Sequence, residues 1–469
     1  MAEWEPVIGL EIHVQLKTRT KMFCRCENVS GDEPNTRTCP ICLAHPGTLP
    51  IPNRQAIEWT IKLGVALGCD IAPRALFHRK HYVYPDLAKS YQISQYDVPL
   101  CTDGRFVVPG AEGDREIGIV RAHLEEDAAK TIHVGGTGGR IAGAAYSLVD
   151  FNRGGTPLVE IVTQPDVRSP DEARRFLQLL RQTVVELGIS DAEMEKGSLR
   201  CDANVSVREA GEASLRTKTE LKNMNSFKFV ADGIAAEVSR QIAVYDGGGH
   251  VVQQTLHYDP GAGAVSALRS KEEADDYRYF PEPDLVPVEP DRALVGRLEG
   301  ELPELPGARI RRLERDVGLA LASELVSSGR DALLEPIAAH GVEAKTAANF
   351  LMNDYVPDGG GRADPTLIAE TIKKRRELPP DVYRQAAEAA SLGNEAAVAQ
   401  LLAQTAITDT GELEAVIDEV LAENVSQVAA YRGGKGGVLG FFVGQVMKKT
   451  QGKADPRRVN ELLREKLDT

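Results

Sequence analysis

The stretch Glu116–Lys130, EIGIVRAHLEEDAAK, decides the reading of this chain. Its first ten residues predict a strand that ends in a cluster of acids. Side chains alternate along a strand, so Ile117, Ile119, Arg121, His123 and Glu125 are expected on one face. Gly118, Val120, Ala122 and Leu124 take the other, smaller and more apolar face. Arg, His and Glu in succession on one side fit a core beneath the strand and a reactive cleft above it. Glu125, Glu126 and Asp127 repel one another unless a cation sits among them, and hard cations take carboxylate oxygens. The plain alternative is a solvated strand end. It loses ground because the same face pattern recurs along the chain.

Across Ile8–Leu16, the residues Leu10, Ile12, Val14 and Leu16 point one way, while Glu11, His13 and Gln15 point the other. Leu199–Val207 alternates again, with Arg200, Asp202, Asn204 and Ser206 opposite an apolar set. In Ser147–Val162, Asp150 and Asn152 share a face and Arg153 leads into the Gly154-Gly155 turn. Glu160 lies between Val159 and Ile161, where a carboxylate is costly unless paired, and Arg153 is the expected partner or ligand clamp. Four strands centred on His13, Glu125, Asp150 and Asp202 thus each carry a charged residue on a polar face. They predict one sheet whose open face is a metal-capable floor, which Glu220, Lys222, Asn223 and Asn225 continue.

Cys24-x-Cys26 and Cys39-x-x-Cys42 can place four thiolates around Zn²⁺. Four thiolates leave no open position, so such a metal is structural. Cys69, Cys101 and Cys201 read as small core residues. Asn53 caps a helix with a stripe of Ile57, Ile61, Gly64 and Leu67 that stops at Gly68, and Ser169-Pro170-Asp171-Glu172 opens another that stops at Gly188. Phe77–Gln95, FHRKHYVYPDLAKSYQISQ, holds so many hydrogen-bonding aromatics that it predicts a pocket or channel wall. Lys89 within it is a candidate cation for a phosphate or a partner for Glu125; a surface lysine is the plain alternative. The Gly135–Arg140 loop matches no phosphate-binding pattern and is expected only to turn the chain.

At 469 residues the chain has room for about three domains. A hydrophobic share of 42% and a charged share of 26% are those of a soluble globular protein. No apolar run approaches the ~18 residues of a membrane span, and the first residues lack a signal-peptide layout. With seven cysteines, an odd number, this points to reduced thiols in the cytoplasm and no membrane partner. A net charge of −14 excludes wholesale coating of nucleic acid, so any such contact is local. Its place is the end of the chain. From Tyr431 to Thr469 nine Lys/Arg face four Asp/Glu, a balance of +5. There the GGKGG loop at 433–437 precedes one helix, Asp455 and Pro456 open a second, and the basic residues suit an RNA backbone.

The motifs IGLEIHVQL (8–16), YPDLAKSYQISQYD (84–97), HLEEDAAK (123–130), VDFNRGGTPLVEIV (149–162), GSLRCDANVSV (197–207), ELKNMNSF (220–227) and DYRYFPEPDL (276–285) together resemble the B-subunit family of the glutamyl/aspartyl-tRNA amidotransferases, GatB. Members of that family phosphorylate the side-chain carboxylate of tRNA-bound Glu or Asp with ATP. They then amidate it with ammonia channelled from an amidase chain. The resemblance implies ATP, Mg²⁺ and, from the cysteines, structural Zn²⁺. It implies a heterotrimer with the amidase (A) subunit and the small (C) subunit, tRNA(Gln), tRNA(Asn) or both as substrate, and the non-discriminating aminoacyl-tRNA synthetase as a further partner. Carried onto this sequence, Glu11, His13 and Glu125 resemble the Mg²⁺ set, with Glu126, Asp150 and Asp202 beside it. Lys89, Tyr82 and Tyr84 correspond to the channel mouth and the wall near the phosphates, and Arg153 and Asn152 to the groups that orient phosphate or the aminoacyl end. Lys89, Glu125, Arg153 and Asp202 are the expected catalytic residues. In the tail, Arg432, Lys435, Lys448, Lys449, Arg457 and Arg458 are the expected RNA contacts.

The expected fold is α+β. A cradle domain over 1–290, with a mixed or antiparallel sheet and a zinc-ribbon-like insertion, precedes an all-α helical domain over 291–406 and a small all-α tail over 407–469. Four prolines between Arg278 and Pro290 mark the exit from the cradle. No Ser-Ser-Lys amidase signature or Cys-His pair is visible, so the ammonia must come from a partner chain. Two functions of different class follow: an ATP-using catalytic subunit, or a zinc-stabilised RNA-binding scaffold whose acids are merely structural.

Overall fold

The alternation read from the sequence builds most of one sheet. In the computed structural model, which describes residues 3–135, 143–270, 277–357, 363–404, 410–450, 454 and 456–468, fourteen strands are present. They are β1 (Trp4–Gln15), β2 (Asp70–Ile71), β3 (His78–His81), β4 (Tyr91–Ser94), β5 (Cys101–Val108), β6 (Arg115–Glu126), β7 (Lys130–Val134), β8 (Tyr146–Asp150), β9 (Pro157–Thr163), β10 (Leu199–Glu209), β11 (Thr219–Met224), β12 (Gln254–Asp259), β13 (Ala264–Ser270) and β14 (Phe280–Pro281). Twelve of them form one sheet in the order β13-β12-β11-β10-β1-β9-β6-β4-β3-β14, with β5 joined to β6 and β2 to β5. Every pairing is antiparallel except β11 with β12, so the sheet is mixed and the class is α+β.

One face of the sheet is apolar. Leu10, Ile12 and Val14 of β1, Leu124 of β6, Val159 and Ile161 of β9 and Ala203 and Val205 of β10 are all at most 1% exposed. Three helices, α1 (Arg54–Ala66), α2 (Pro170–Glu186) and α3 (Phe227–Asp246), pack against the sheet's strands. Asn53 caps α1 by accepting from the Ala56 amide, and Ser169 caps α2 by accepting from that of Glu172. The Glu172 carboxylate returns to the Arg168 amide at 2.6 Å, one residue before the cap. On α3 the buried Glu237 takes hydrogen bonds from Thr219 and Gln241, each at 2.7 Å, and a fork from Arg240. That pins the helix to β11 without leaving its charge unpaired.

Two expectations about the sheet, and one about the cysteine segment, are corrected. First, β6 does not alternate without interruption. Ile119 pairs with Thr163 but Arg121 with Val162, so Val120 is an extra residue, a β-bulge. Ile117 and Ile119 therefore face the core before the bulge, and Ala122 and Leu124 after it. Only Arg121, His123 and Glu125 turn to the polar face. Second, Asp150 is not on this sheet. It ends β8, which pairs with β7 alone in a separate two-stranded sheet. The cysteine segment is built of turns and bends, with only an isolated Thr20–Glu27 bridge, so it is no ribbon of paired strands. Positive φ at Gly31, Asn35 and Ala44 breaks any extended run there.

The chain divides into two compact units at Ile310 and Arg311. The proline-rich segment after Arg278 stays within the first: β14 pairs with β3, and Val288 bridges Ala75. Helix α4 (Arg292–Gly300) follows, capped by Asp291, and then α5 (Pro306–Val317). The second unit continues from α6 (Leu319–Ser327) to α11 (Glu395–Leu402), and then α12 (Thr410–Glu423), α13 (Val425–Arg432), α14 (Leu439–Lys449) and α15 (Pro456–Asp468). Leu413, Ile417, Phe442, Val446, Val459 and Leu463 of the last helices share a fully buried core of their own. The expected boundary at 406/407 and the Gly-rich residues 136–140 lie outside the described residues, as does Asp455.

Gly64 marks where α1 meets β5 most closely: a Cβ there would lie 2.4 Å from the Cys101 sulfur. Gly64→Ala is therefore expected to lower stability by about 1–3 kcal/mol through overpacking. Adding Cys101→Ala should recover part of the loss. Urea unfolding followed by Trp59 fluorescence checks this; no recovery in the double variant would place the strain elsewhere.

Candidate functional site

The polar face of the sheet is a grid whose columns are strands and whose rows are set by register. Across β10, β1, β9 and β6, the residues Arg200, His13, Glu160 and His123 stand side by side. In the neighbouring row Asp202 stands opposite Glu11. The His13 Nε2 atom lies 3.8 Å from Glu11, 3.7 Å from Glu125 and 3.6 Å from Glu160. The His123 Nε2 atom lies 3.7 Å from the same Glu160 oxygen, and Arg121 reaches the other oxygen at 3.3 Å. Glu11, His13 and Glu125 therefore converge from strands more than a hundred residues apart. Glu160, which sequence reasoning paired with Arg153, is the centre of the group.

Burial sets the charges here. It pushes the Glu125 carboxyl up to about 7, helped by the Glu160 charge, and raises Glu11 for the same two reasons. Burial would also raise Glu160, but His123, His13 and Arg121 hold it well below the ordinary carboxylate range. His123, fully enclosed, is pulled down to about 4 by burial. For His13, burial is outweighed by Glu160 and Glu125, which hold its pKa above the usual value.

Donor atoms 3.6–3.8 Å apart are too distant to hydrogen-bond to each other. They match the ~3–4 Å spacing of oxygens and nitrogens that share one ion at ~2.1 Å. Among the described residues two sets, Glu11–His13–Glu160 and His123–Glu125–Glu160, each bring three ligand atoms within 4.8 Å of one another. The buried Nδ1 of His123 has no hydrogen-bond partner among the described residues. Such a set can hold a divalent cation. Beside it opens a cavity of about 290 Å³ whose wall includes the cations Lys80, Arg121 and Lys222 and the rings of Tyr96, Tyr277 and Tyr279. A smaller cavity of about 170 Å³ shares Glu11 and Glu220 with it and is lined by Asn204, Lys218, Gln253 and Gln254.

The remaining expected residues lie elsewhere or are engaged. Asp202 is paired with Lys222 at 2.5 Å at the edge of the grid. Lys89 pairs with Glu126, not Glu125, because adjacent strand residues point to opposite sides. Both line a different cavity, of about 270 Å³, that also touches Cys24 and Cys42. Arg153 donates to the Ala128 and Ala129 carbonyls at 2.9 and 2.7 Å and lies 3.8 Å from Asp127. Glu160 runs away from it along β9, beyond its reach. Asp150 accepts from the Asn35 amide, and Asn152 accepts from that of Arg37 and donates to Glu33, so both tie down the cysteine loop. Tyr82 meets the Tyr277 ring edge-on at 5.9 Å, whereas Tyr84 is 60% exposed.

Glu160, Lys80 and the tyrosines at 277 and 279 were not singled out as site residues from the sequence. The carboxylate alone in an apolar strand was the signal for Glu160, with the partner misassigned. For Lys80 the signal was its two-residue spacing from His78 on a short strand.

The four cysteine sulfurs lie within 4.8 Å of one another, with Cys39 and Cys42 3.9 Å apart. Zn–S bonds of ~2.3 Å in a tetrahedron put sulfurs ~3.8 Å apart, so the cluster is compatible with structural zinc. The Cys24 hydrogen bond and, more weakly, the Lys21 ammonium bring Cys42 down to about 5, while burial pushes Cys26 up to about 11. Cys69, Cys101 and Cys201 have thiols raised by burial and are not poised as nucleophiles.

In the tail, Lys449 is paired with Glu419 and Glu423, Arg458 with Glu461, and Arg432 donates to the Leu467 carbonyl. Lys435 and Lys448 are exposed, and the Arg457 side chain is outside the described residues.

Elemental analysis of the purified chain is expected to return one zinc per molecule, and Cys39→Ser or Cys42→Ser should abolish it. Full zinc retention in both variants would remove these thiols from any metal site.

Comparison with known proteins adds an independent finding. The family model described as the GatB/GatE catalytic domain matches residues 6–296, and that of the GatB domain matches 388–467. The chain is 47% identical to the B subunit of the aspartyl/glutamyl-tRNA(Asn/Gln) amidotransferase of Moorella thermoacetica, over 99% of this chain and 100% of that one. It is 45% identical to the protein of the same name from Syntrophotalea carbinolica, over 99% of each chain. With that of Anaeromyxobacter sp. strain K it shares 43% identity over 100% of this chain and 99% of the other.

Proposed function

The chain belongs to the B-subunit family of the aspartyl/glutamyl-tRNA(Asn/Gln) amidotransferases, and from that premise we propose that its cradle carries out the two chemical steps of tRNA-dependent amidation. A carboxylate is a poor electrophile. One oxygen of the tRNA-bound Glu or Asp side chain attacks the γ-phosphorus of ATP, ADP leaves, and an acyl phosphate remains. Ammonia then attacks the acyl carbon and inorganic phosphate leaves, giving the amide.

The observation that carries this reading is the convergence of Glu11, Glu125 and Glu160 on His13 beside a cavity with three cations. Glu11 and His13 with Glu160, and Glu125 and His123 with the same Glu160, are the two sets that would hold Mg²⁺, which when bound neutralises phosphate oxygens. Lys80, Lys222 and Arg121 offer positive charge where the transferring phosphoryl group would sit. Asp202 acts through Lys222, which it pairs and positions. The Lys89–Glu126 pair would offer hydrogen-bonding groups to guide uncharged ammonia, with Tyr82 toward the channel mouth, and Arg153, Asn152 and Asp150 hold loops of the same region. The ammonia itself comes from an amidase partner chain, assembled together with a small third chain. Exposed Lys435 and Lys448, with Arg432, Lys449, Arg457 and Arg458, supply a tRNA contact in the tail, and the zinc-thiolate loop is structural.

A scaffold with structural acids explains less. Of the three carboxylates on His13, Glu160 is paired with Arg121, whereas Glu11 and Glu125 are raised by burial and by the Glu160 charge, a cost that a bound cation would relieve.

In the complex assembled with its partner chains, Glu125→Gln is expected to lower Glu-tRNA-dependent ATP hydrolysis by roughly 100-fold or more, with tRNA binding retained. Unchanged ATP turnover would hand the case to the scaffold reading. Binding of Mn²⁺, followed by its paramagnetic signal, should weaken in Glu125→Gln and in Glu160→Gln alike.

A further inference from the structure

The 290 Å³ cavity has an aromatic side that the chemistry above leaves unused. Tyr96 and Tyr279 stack with ring centroids 4.0 Å apart and planes 4° from parallel. Tyr279 is in turn braced edge-on by Tyr277 at 6.0 Å. With one face on Tyr279, Tyr96 is still 47% exposed, so its accessible surface is the other face and the ring edge. A braced, half-exposed ring at a charged cavity offers a flat apolar surface for another ring. The charge beside it has the right sign for a nucleotide. Lys80 holds its ammonium 4.8 Å from the Tyr277 ring; its charge favours the ionised form of Glu125, but among the described residues no carboxylate oxygen lies within 4.0 Å of it. Arg121 and Lys222, by contrast, are engaged with Glu160 and Asp202. An aromatic face for a base next to a cation for its phosphate is the arrangement by which proteins hold single nucleotides and strand ends.

We propose that Tyr96, backed by Tyr279, is a stacking platform for an adenine ring, with Lys80 facing the phosphate of that nucleotide. The choice of adenine rests on the reading of the preceding subsection: two adenosines enter such a reaction, that of ATP and that at the 3′ end of tRNA. Both present the same ring to the platform. The polar 170 Å³ cavity, which shares Glu11 and Glu220 as a wall, has no aromatic lining and so offers no second platform of this kind.

The test uses equilibrium binding by the full complex, ATP without tRNA and uncharged tRNA without ATP, for the wild type, Tyr96→Ala and Tyr96→Phe. Tyr96→Ala is expected to weaken one of the two ligands by roughly 5- to 150-fold, the usual loss for one base–aromatic stack, and Tyr96→Phe to bind within about twofold of wild type. Weaker ATP identifies the nucleotide as ATP. Weaker tRNA identifies the terminal adenosine, and the loss should then vanish when the tRNA lacks that one nucleotide. If neither ligand moves, or if Phe is as poor as Ala, there is no stacking platform. Tyr96 lies at the surface, so an unchanged unfolding midpoint is expected for both variants. Because the readout is binding, failure of Glu125→Gln to lose ATP turnover would sink the catalytic reading while leaving this result to stand or fall by itself.

Discussion

A buried carboxylate between two imidazoles and a guanidinium is the interaction on which this site depends. Glu160 sits in the middle of β9 with apolar neighbours on either side in sequence, and nothing local could make that tolerable. It is stabilised because β1 and β6 flank β9 in registers that put His13 on one side and His123 on the other, with Arg121 two residues before the second. A one-residue slip of either strand would turn these side chains into the core and leave the acid unpaired. The β-bulge at Val120 serves the same end. It lets β6 keep Ile117 and Ile119 in the core and still deliver Arg121, His123 and Glu125 to the opposite face.

The cysteine loop is built onto the same framework. Lys21, essentially without exposure, donates to the Phe151 carbonyl and approaches the Cys42 sulfur at 3.9 Å. Asn35, Arg37 and Glu33 are held by Asp150 and Asn152. The turn that follows, at Gly155 with φ of +86°, hydrogen-bonds to Asp127, whose carboxylate also takes Gln15 and Arg200. Residues that read as part of the polar floor are thus the fastening of the loop to the strands that carry the floor.

The alternation of β1 and β10, the caps of α1 and α2, the thiol quartet and the core roles of Cys101 and Cys201 could be read directly. Each depends on near neighbours in sequence. The bulge could not be read, because nothing in IGIVRAH marks which residue is extra; pairing with β9 decides it. The partner of Glu160 was misread for a related reason. Arg153 is close in sequence, but the turn at Gly154-Gly155 sends the strand away from it, and its guanidinium is taken by carbonyls at Ala128 and Ala129. Lys89 was read toward Glu125 and pairs instead with Glu126, the next residue of β6, which points to the opposite side.

What the sequence determined by itself was the inventory: which strands have a polar face, which acids and imidazoles they carry, and which family the ordered motifs match. Side-chain periodicity and covalent order suffice for that. What only the tertiary structure decided was the neighbourhood: that Glu160 is the hub, that Asp150 belongs to another sheet, and that Tyr96 and Tyr279 stack beside Lys80. These depend on which strands lie side by side and in what register, and burial of the whole sheet, not any single segment, fixes both.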